Sequence, residues 1–579
     1  MFDYDSLFNN IQKNETCKVL NAEEIKRLDY SFFENSIVWE IDTVISYKGK
    51  SLSVILYVNF LNTFPFSFPK IFIEKKIYET LKFIPHINKD WSICIFDDGL
   101  NNSISIESIN DILEYMIHQA KYIIKSSEDE DYNKIEFNRE FKAYWEIEYR
   151  EKDKTLNNGL HLINSFKSNT ISGIKLRNRL NGYEYLLYNE DDSWDKFKKY
   201  LVYRKIQYDE ISVIVIENIF TSPPYDLTFK QSLEILRNKD LVFQRFKKEI
   251  KNSKLDRTII VFTNFVNGKI EIYGWIYKDL IVPLSTEKGT RKNLSNLEII
   301  EHPIFGKSNV LRITFDNLTT ERLQLRTSGV LENHKSIVVS GLGSIGSNLI
   351  HFLQNFPVNK FHLIDNDLLK LENINRHYSG FEYINYYKVD AIKDQIIRSN
   401  PFCEIEVKKD SIQKIINKYP EFINQCDFHI VAIGNTMVEN FILKSLAENR
   451  LTSPIIIFWV EPYLASGQMI FINPKDADRA LFLINNYEYN VLSKATKPTE
   501  LIYLKEGSCQ SGYFPYSSTN LLHFLSSIFP YLRSHLIYGN KTSTIYTWIG
   551  DKEFLKSKGL GLTDFSIDKK SFNLIINHI

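Results

Sequence analysis

The chain has 579 residues, which predicts about three or four domains, and its apolar share of 44% is ordinary for a globular protein. Lys plus Arg and Asp plus Glu each number 71, a balance that gives no support to nucleic acid as a partner. We find neither a signal-peptide pattern nor an apolar run long enough to span a bilayer, and we predict a cytoplasmic protein with no membrane partner.

The first third of the chain contains three alternating apolar and polar runs, VWEIDTVIS, LSVILYVNF and PKIFIE. They predict antiparallel strands with a polar turn at Tyr47–Lys50. FPFSFPK lies at the start of the third run, and FIPHINKDWSICIFDDG follows it. These motifs resemble those of ubiquitin-conjugating enzymes, Y-P-F-x-x-P-K, a P-N-I segment and S-I-C. The resemblance covers about residues 20 to 145, and it implies that Cys94 is the thioester nucleophile.

His86 stands where the conjugating enzymes have the Asn of H-P-N. A neutral imidazole donates one hydrogen bond, so His86 is predicted to act as an oxyanion or loop-positioning donor. The alternative is that His86 only caps the loop. For Cys94, the alternative is an inert buried thiol, the usual state of a cysteine outside a disulfide.

The middle of the chain, 153–318, predicts an α/β connecting domain without a catalytic constellation. The acidic run Ser126–Lys134 before it predicts a solvated loop, followed by a helix over FNREFKAYWEIEYREKDK. TSPPYD and NGK mark turns in the middle region. Its predicted elements are strands at Ile211–Ile216, Thr258–Phe262 and Ile270–Trp275, and a helix at Thr228–Asn238.

The most informative stretch begins at a predicted buried strand, Ser336–Ser340, which leads into a glycine turn and a helix. In such a unit, Gly341 and Gly343 permit a tight turn and close approach to phosphate, and Gly346 lets the helix pack on the sheet. The helix N-terminus offers free N–H groups to the phosphates. A second strand ends at Asp365, where a carboxylate binds ribose hydroxyls. This pattern predicts a nucleotide site.

Asn373, Arg376 and Lys388 follow, and no P-loop G-K-[ST] is present. Two cations near one nucleotide suit a triphosphate, whereas the alternative is that both are solvated surface charges. With Asp365-Asn366-Asp367, Asn373-Ile374-Asn375-Arg376-His377 and Asn400-Pro401, the stretch resembles the adenylation domain of ubiquitin-activating enzymes and of the bacterial enzymes that activate sulfur carriers. The resemblance spans roughly the last 260 residues.

That resemblance implies ATP and Mg²⁺ as cofactors. It also implies an arginine upstream of the first strand that reaches the phosphates, and Arg326 is the first candidate for this role and Arg322 the second. Asp367 is the predicted metal ligand. One departure concerns the metal, because Gly434 or Asn435 falls where the family has a second aspartate.

The five cysteines are Cys17, Cys94, Cys403, Cys426 and Cys509. Their scatter, without C-x-x-C, predicts reduced thiols and no structural zinc. Cys509 lies in EGSCQSG, after the polar stretch Asn485–Lys505 and before a helix predicted to begin near Ser517–Asn520. A glycine-flanked loop before a helix favours an accessible thiolate. Cys509 also fits the place of the activating enzymes' thioester cysteine, and the alternative is an incidental loop cysteine.

We therefore predict an α/β multidomain protein. It comprises a ubiquitin-conjugating-enzyme-like α+β domain (1–152), an α/β connecting domain (153–318) and a Rossmann-like ThiF-type adenylation domain (319–579). This order resembles the fusion enzymes of antiphage CBASS operons. The resemblance implies a homodimer and an acyl-donor protein ending in a glycine-like carboxylate, a cGAS-like nucleotidyltransferase (CD-NTase), joined to a target lysine. Two alternatives stay open: a sulfur-carrier adenylating enzyme, and an NAD-binding oxidoreductase or regulatory scaffold.

Overall fold

A computed structural model of the chain describes residues 4–28, 30, 33, 36–81, 83–95, 109–150, 158–167, 170–225, 227–252, 254–277, 295–354, 356–486, 504–505 and 512–579. These residues form two compact units. Unit 1 is Met1–Glu190 with Ile206–Leu318, and unit 2 is Asp191–Lys205 with Thr319–Ile579. The division into three domains stays a prediction. No described helix is both long and apolar enough to cross a membrane.

The first part of unit 1 is a four-stranded antiparallel sheet, in the order β1-β2-β3-β4, covered by helices. Its elements are α1 (Tyr4–Gln12), β1 (Thr16–Val19), α2 (Ala22–Arg27), β2 (Ile37–Tyr47), β3 (Lys50–Phe60), β4 (Lys70–Ile73), α3 (Lys75–Leu81), α4 (Ile109–Ser126) and α5 (Glu130–Arg150). The apolar face of α4, including Leu113 and Ile117, packs with Trp39 and Leu56 of the sheet in one buried cluster.

The turn between β2 and β3 confirms the predicted polar turn. Lys48 and Gly49 take the left-handed conformation, with φ of 49° and 72°, and Tyr47 pairs with Lys50. Two consecutive positive φ angles twist a two-residue turn in the same sense as the strands, and this turn sets their register.

The second part of unit 1 is a closed seven-stranded barrel, in the order β10-β11-β5-β7-β6-β8-β9. Its strands are β5 (Asn158–His161), β6 (Ile171–Leu180), β7 (Tyr183–Asn189), β8 (Tyr208–Val215), β9 (Thr258–Val266), β10 (Lys269–Ile276) and β11 (Leu311–Asn317). Its helices are α7 (Phe229–Arg237), α8 (Asp240–Asn252) and α9 (Asn296–Glu301), whereas α6 (Asp192–Tyr203), between β7 and β8, belongs to unit 2. The predicted helix at Thr228–Asn238 is confirmed as α7, with Thr228 as its N-cap and Asn238 as its C-cap.

The acidic run before the barrel is not the loop that the sequence predicts. Only the residues between Ser126 and Glu130 connect α4 to α5, and the rest of the run is helical. The Asp129 carboxylate accepts the amides of Asp131 and Tyr132, which satisfies the free N–H groups of the first turn of α5. Acidic side chains in that turn also interact favourably with the helix dipole, so the negative charge stabilises this helix start.

Unit 2 is built on an eight-stranded sheet, in the order β14-β13-β12-β15-β16-β17-β20-β21. The strands are β12 (Lys335–Ser340), β13 (Val358–Ile364), β14 (Glu404–Lys408), β15 (Phe428–Val431), β16 (Ile455–Val460), β17 (Ser466–Ile472), β20 (Thr544–Ile549) and β21 (Leu574–His578), with a separate pair, β18 (Leu504–Lys505) and β19 (Gly512–Tyr513). The first five strands of the sheet are parallel, and β17, β20 and β21 continue it with antiparallel pairing.

Helices cover both faces of this sheet. Besides α6, the helices of unit 2 are α10 (Thr320–Ser328), α11 (Ser344–Leu353), α12 (Lys388–Ser399), α13 (Ile412–Lys418), α14 (Glu421–Asn424), α15 (Thr436–Ala447), α16 (Ala477–Asn486), α17 (Ser518–Leu536), α18 (Lys552–Ser557) and α19 (Asp564–Ile567). Along β12, Ile337 and Val339 join the core with α11 and α17, whereas Val338 joins the core with α13 and α15. The strand order reverses on either side of β12, and open α/β sheets bind ligands at such a switch point.

Candidate functional site

The glycine turn after β12 lies at the switch point of the sheet. Gly341 has a φ of 86°, and a Cβ there would lie 2.6 Å from the Ala432 carbonyl oxygen. A Cβ on Gly346 would lie 1.9 Å from the Gly341 carbonyl oxygen, so α11 starts against the turn itself. By contrast, a Cβ on Gly343, the N-cap of α11, would meet no atom within 4 Å. Open space therefore remains over the N-terminus of α11.

Asp365 fastens the end of the second strand to this turn. Its carboxylate accepts the Leu342 amide at 2.6 Å and the Asp367 amide at 2.8 Å. Burial raises the pKa of Asp365 above its ordinary value, while Lys388 and the two amides act in the opposite direction. The predicted ribose-binding acid is thus also the group that holds the turn together.

Lys388 begins α12 and is buried, with its Nζ donating to the Asp367 carboxylate at 2.8 Å. The backbone of the two residues is also joined, because the Lys388 amide donates to the Asp367 carbonyl. Asp367 itself is 64% exposed. Lys388 is therefore fixed beside the switch point and paired with an exposed carboxylate, which contradicts the alternative of a solvated surface lysine.

The segment that carries Arg376 is anchored to the glycine turn by its backbone. The Arg376 carbonyl accepts hydrogen bonds from the Ser344 hydroxyl and from the side-chain amide of Asn348, each at 2.9 Å. His377 donates from its Nε2 to the Leu342 carbonyl at 2.8 Å, and burial lowers the pKa of His377 to about 4, so the ring is neutral. The Asn373 side chain accepts the Lys370 amide and so shapes the preceding turn.

The Arg376 guanidinium lies over the Tyr516 ring at 5.1 Å. Among the described residues it pairs with no carboxylate, so its charge is held by an aromatic face alone. Tyr516 precedes α17, and the neighbouring Pro515 carbonyl accepts the Tyr463 amide. Sequence reasoning missed Tyr516 and the roles of Ser344 and His377. Only His377 had a signal, because it follows Arg376 in the motif.

Among the described residues, Arg326 makes no hydrogen bond or ion pair with the glycine turn, and Gly434 and Asn435 carry no carboxylate for a metal. Arg326 lies on α10, which has no buried residue, and its guanidinium makes no ion pair or hydrogen bond among the described residues. At the departure from the family pattern, Asn435 accepts the Met437 and Val438 amides and caps α15. Buried Glu439 accepts the Gly434 amide, a role that no motif indicated. The roles of Arg326 and of Asp367 toward a metal stay predictions.

The residues at the switch point fit a nucleoside triphosphate with Mg²⁺. The open space at Gly343 faces a helix N-terminus, which attracts phosphate, and Lys388 and Arg376 supply positive charge. Within the described part of the chain, no group of three or more His, Cys, Asp and Glu side chains could hold a metal by itself. Mg²⁺ at phosphates needs only one or two carboxylates, and exposed Asp367 provides one.

In unit 1, Cys94 lies at the end of a short hairpin and is exposed. Its amide donates to the His86 carbonyl at 2.7 Å, and Ile93 donates to Ile71 of β4. The His86 ring lies against α5, with Nε2 3.1 Å from Glu136 and Nδ1 3.7 Å from Glu140. The exposure of Cys94 contradicts the alternative of a buried thiol, whereas the reactivity of Cys94 and the oxyanion role of His86 stay predictions.

The other described cysteines are poor nucleophiles. Burial raises the pKa of Cys17 and of Cys403 to about 12, and the pKa of Cys426 to about 11. Cys509, predicted as the first thioester nucleophile, lies outside the described residues. Cys94 is thus the exposed thiol of the part of the chain that the structure describes.

Two protein-family comparisons match separate segments of the chain. The ThiF family matches residues 321–484, and prokaryotic E2 family B matches residues 27–154. The chain is thus a mixed α/β multidomain protein with an E2-like domain and a Rossmann-like adenylation domain of ThiF type, and the predicted fold class is confirmed. The resemblance to CBASS enzymes stays a prediction.

Known proteins similar to this chain include ubiquitin-like modifier-activating enzyme 5 from two species. The Caenorhabditis elegans enzyme is 27% identical over 149 residues, 24% of this chain and 35% of the relative. The Bombyx mori enzyme is 25% identical over 237 residues, 38% of this chain and 58% of the relative. The chain thus spans less than two thirds of the length of these relatives.

Solved structures similar to this chain include two E. coli proteins. The tRNA N6-threonylcarbamoyladenosine dehydratase TcdA in complex with AMP is 18% identical, covering 31% of this chain and 73% of that chain at a TM-score of 0.22. MccB with ATP is 15% identical, covering 42% of this chain and 65% of that chain at a TM-score of 0.26.

Two alanine substitutions in the glycine turn should separate folding from nucleotide binding. Gly346→Ala should lower the free energy of unfolding by about 1–3 kcal/mol, because its Cβ meets the Gly341 carbonyl. Gly343→Ala should change it by less than about 1 kcal/mol yet weaken ATP binding, because its Cβ fills the space over α11. Chemical denaturation and calorimetric titration with ATP measure the two effects. Unchanged ATP affinity in Gly343→Ala would show that phosphate does not approach there.

Glu439 should make the stability of unit 2 depend on pH. Burial raises its pKa to about 7 from the model-compound value of 4.5. Between these values the folded carboxyl keeps a proton that the unfolded one has lost, so the free energy of unfolding falls as pH rises, by at most about 3 kcal/mol. Glu439→Gln stays neutral and still accepts the Gly434 amide. Between pH 5 and 8 it should lose less stability in denaturant titrations than the wild type, and an equal loss would contradict the assignment.

Proposed function

We propose that this chain is an ATP-dependent protein-conjugating enzyme. It activates the C-terminal carboxylate of a donor protein by adenylation and passes the acyl group through Cys509 and Cys94 to a lysine of a target. One observation carries the proposal: an exposed cysteine within the E2-family-B segment shares its chain with a ThiF-type turn where Gly343, Asp365 and Lys388 converge.

The adenylation site contributes positive charge and fixed backbone geometry. ATP supplies the adenylyl group that makes the donor carboxylate reactive, and pyrophosphate leaves. Lys388 and Arg376 offset the negative charge that grows on the departing phosphates. Asp365 holds the turn through the Leu342 amide, and it offers its remaining lone pairs to ribose hydroxyls. Asp367, exposed beside Lys388, is the carboxylate available to Mg²⁺.

The acyl group then moves through two thioesters. The Cys509 thiolate attacks the acyl carbon of the adenylate, and AMP leaves. The Cys94 thiolate attacks the Cys509 thioester, and the Cys509 thiolate leaves. A target lysine amine attacks the Cys94 thioester, loses a proton as the amide forms, and releases the Cys94 thiolate. Each covalent step divides one difficult acyl transfer into easier ones. The exposure of Cys94 supports its place at the last step.

We further propose that the donor is a cGAS-like nucleotidyltransferase, that the operon belongs to an antiphage CBASS system, and that the enzyme is a homodimer. The order of the two matched segments supports the first two proposals, because it follows that of the CBASS fusion enzymes. The homodimer is supported by α10 and the residues after it, which expose Leu323, Leu325, Val330 and Leu331. A nucleotidyltransferase gene beside this one, and a donor assay with its product, test the identity of the donor.

Arg376→Ala should slow ATP–pyrophosphate exchange that depends on the donor protein by about a hundredfold or more. Loss of one charged contact to the departing phosphates costs about 2–4 kcal/mol of transition-state stabilisation. Arg450→Ala, which removes a guanidinium paired with Glu448, is the matched control and should keep wild-type exchange. Wild-type exchange by Arg376→Ala would remove Arg376 from the site, and absence of donor-dependent exchange in the wild type would favour NAD chemistry or a scaffold.

Cysteine variants should stop the reaction at different steps. Cys509→Ala should form donor adenylate but carry no thiol-sensitive adduct. Cys94→Ala should keep the adduct on Cys509 and lose ligation to lysine, and Cys94→Ser or Cys94→Lys should trap the donor as an ester or amide. Gel analysis with and without reductant, followed by peptide mapping, distinguishes these species. Cys403→Ala is the control, because burial makes that thiol unreactive. Ligation by Cys94→Ala would leave sulfur-carrier activation as the better function.

A further inference from the structure

His86 joins the Cys94 hairpin to helix α5 through its backbone. It has a left-handed φ of 62°, which is uncommon outside glycine. Its amide donates to the Tyr144 hydroxyl at 3.0 Å, and its carbonyl accepts the Cys94 amide at 2.7 Å. Tyr144 is buried and stacks on Phe137 at 5.8 Å. A continuous chain of two hydrogen bonds therefore runs from a fixed core side chain to the backbone of the cysteine.

The His86 ring makes a second connection to the same helix. Glu136 and Glu140 are four residues apart on α5, so their side chains lie on one face. The His86 Nε2 is 3.1 Å from Glu136, and its Nδ1 is 3.7 Å from Glu140. Arg139, half exposed, also pairs with Glu136. Because an ionised carboxylate only accepts hydrogen bonds, the Glu136 contact fixes a proton on Nε2.

Phe141 and Trp145 of α5 contact the barrel. The Trp145 indole donates to the Ile313 carbonyl of β11 at 3.2 Å, and its ring contacts Phe262 of β9. Phe141 meets Phe262 and Tyr273 edge-on, with centroids 5.7 and 4.9 Å away. Such contacts between buried aromatic rings stabilise the packing of α5 on the barrel. One helix thus contacts both the barrel wall and the hairpin of Cys94.

We propose that Glu136, Glu140 and Tyr144 are positioning residues for acyl transfer, that they act on Cys94 through His86, and that the barrel serves as the support of α5. This inference rests on the proposed function of Cys94. It gives the connecting domain a role that its sequence did not indicate. It also makes His86 a positioning residue and not an oxyanion donor, because its ring is engaged by two carboxylates and its carbonyl by the Cys94 amide.

The test uses the full chain and two measurements on Cys94. Single-turnover discharge of a preformed Cys94 thioester to a free amine gives the rate constant and the amine concentration for half-saturation. Alkylation by iodoacetamide, followed by peptide mapping, reports the Cys94 thiol without ATP or donor. Tyr144→Phe removes one hydroxyl and keeps the ring. Glu136→Gln keeps an acceptor but removes the charge, whereas Glu136→Leu removes both.

Tyr144→Phe and Glu136→Leu should each lower the discharge rate constant by about tenfold, the effect of one lost hydrogen bond to a buried or charged group. The amine half-saturation should stay unchanged, and Glu136→Gln should recover part of the rate. Trp145→Phe, which removes the hydrogen bond to the barrel, should slow discharge in the same direction. Asp131→Asn, an exposed acid in the first turn of α5, is the matched control and should discharge as the wild type.

A wild-type discharge rate in Tyr144→Phe and in a Glu136→Gln, Glu140→Gln double variant would overturn the proposal, even if both variants melt at lower temperature. The proposal would also be overturned if Trp145→Phe discharged more slowly while the Tyr144 and Glu136 variants discharged at the wild-type rate. The effect of Trp145 would then not pass through His86. Failure of the wild type to form any Cys94 thioester would instead contradict the proposed function. The rate of Cys94 alkylation by iodoacetamide could still be compared between the wild type and the variants.

Discussion

The proposed nucleotide site of unit 2 depends on a contact that only a residue without a side chain permits. Gly346 lies so close to the Gly341 carbonyl that a Cβ would be 1.9 Å from its oxygen. This approach lets α11 begin directly after β12, so that the free N–H groups of the helix meet the switch point of the sheet. Asp365 then fastens the neighbouring strand to the same turn, and His377 fastens the segment of Arg376. The other groups of the site are positioned relative to this turn.

The two cations of the site are held in different ways. Lys388 is buried, and a buried ammonium without a partner would be costly, so Asp367 at 2.8 Å balances its charge. Arg376 lies on the Tyr516 ring, and an aromatic face holds a guanidinium more weakly than a carboxylate does. On the proposed function, an arriving phosphate competes with a weak contact at Arg376 and with an exposed carboxylate at Lys388. Arg376 is thus positioned without a carboxylate partner among the described residues, whereas Lys388 is positioned by an exposed one.

Local rules recovered much of the fold from the sequence. The Tyr47–Lys50 turn, the helix at Thr228–Asn238 and the glycine turn after β12 are each set by a few neighbouring residues, and each was predicted. The acidic run before α5 was misread, because its charge suggested solvation while its Asp129 was capping a helix. The side-chain contacts of the two sites could not be predicted in this way. His86 meets a tyrosine 58 residues away and a glutamate 50 residues away, and no local pattern shows such pairs.

The proposed role of Cys94, acyl transfer between proteins, places conflicting demands on this residue. Its side chain has to be exposed, and an exposed side chain has few contacts that could fix it. Transfer rates nevertheless depend on orientation to within small distances. The backbone of Cys94 offers one way to position this residue, from the side that faces the core. The buried Tyr144 hydroxyl, the backbone N–H and C=O of His86 and the Cys94 amide form such a connection, and His86 has a left-handed φ of 62° there. The backbone of an exposed cysteine is thus connected to a buried side chain of the core.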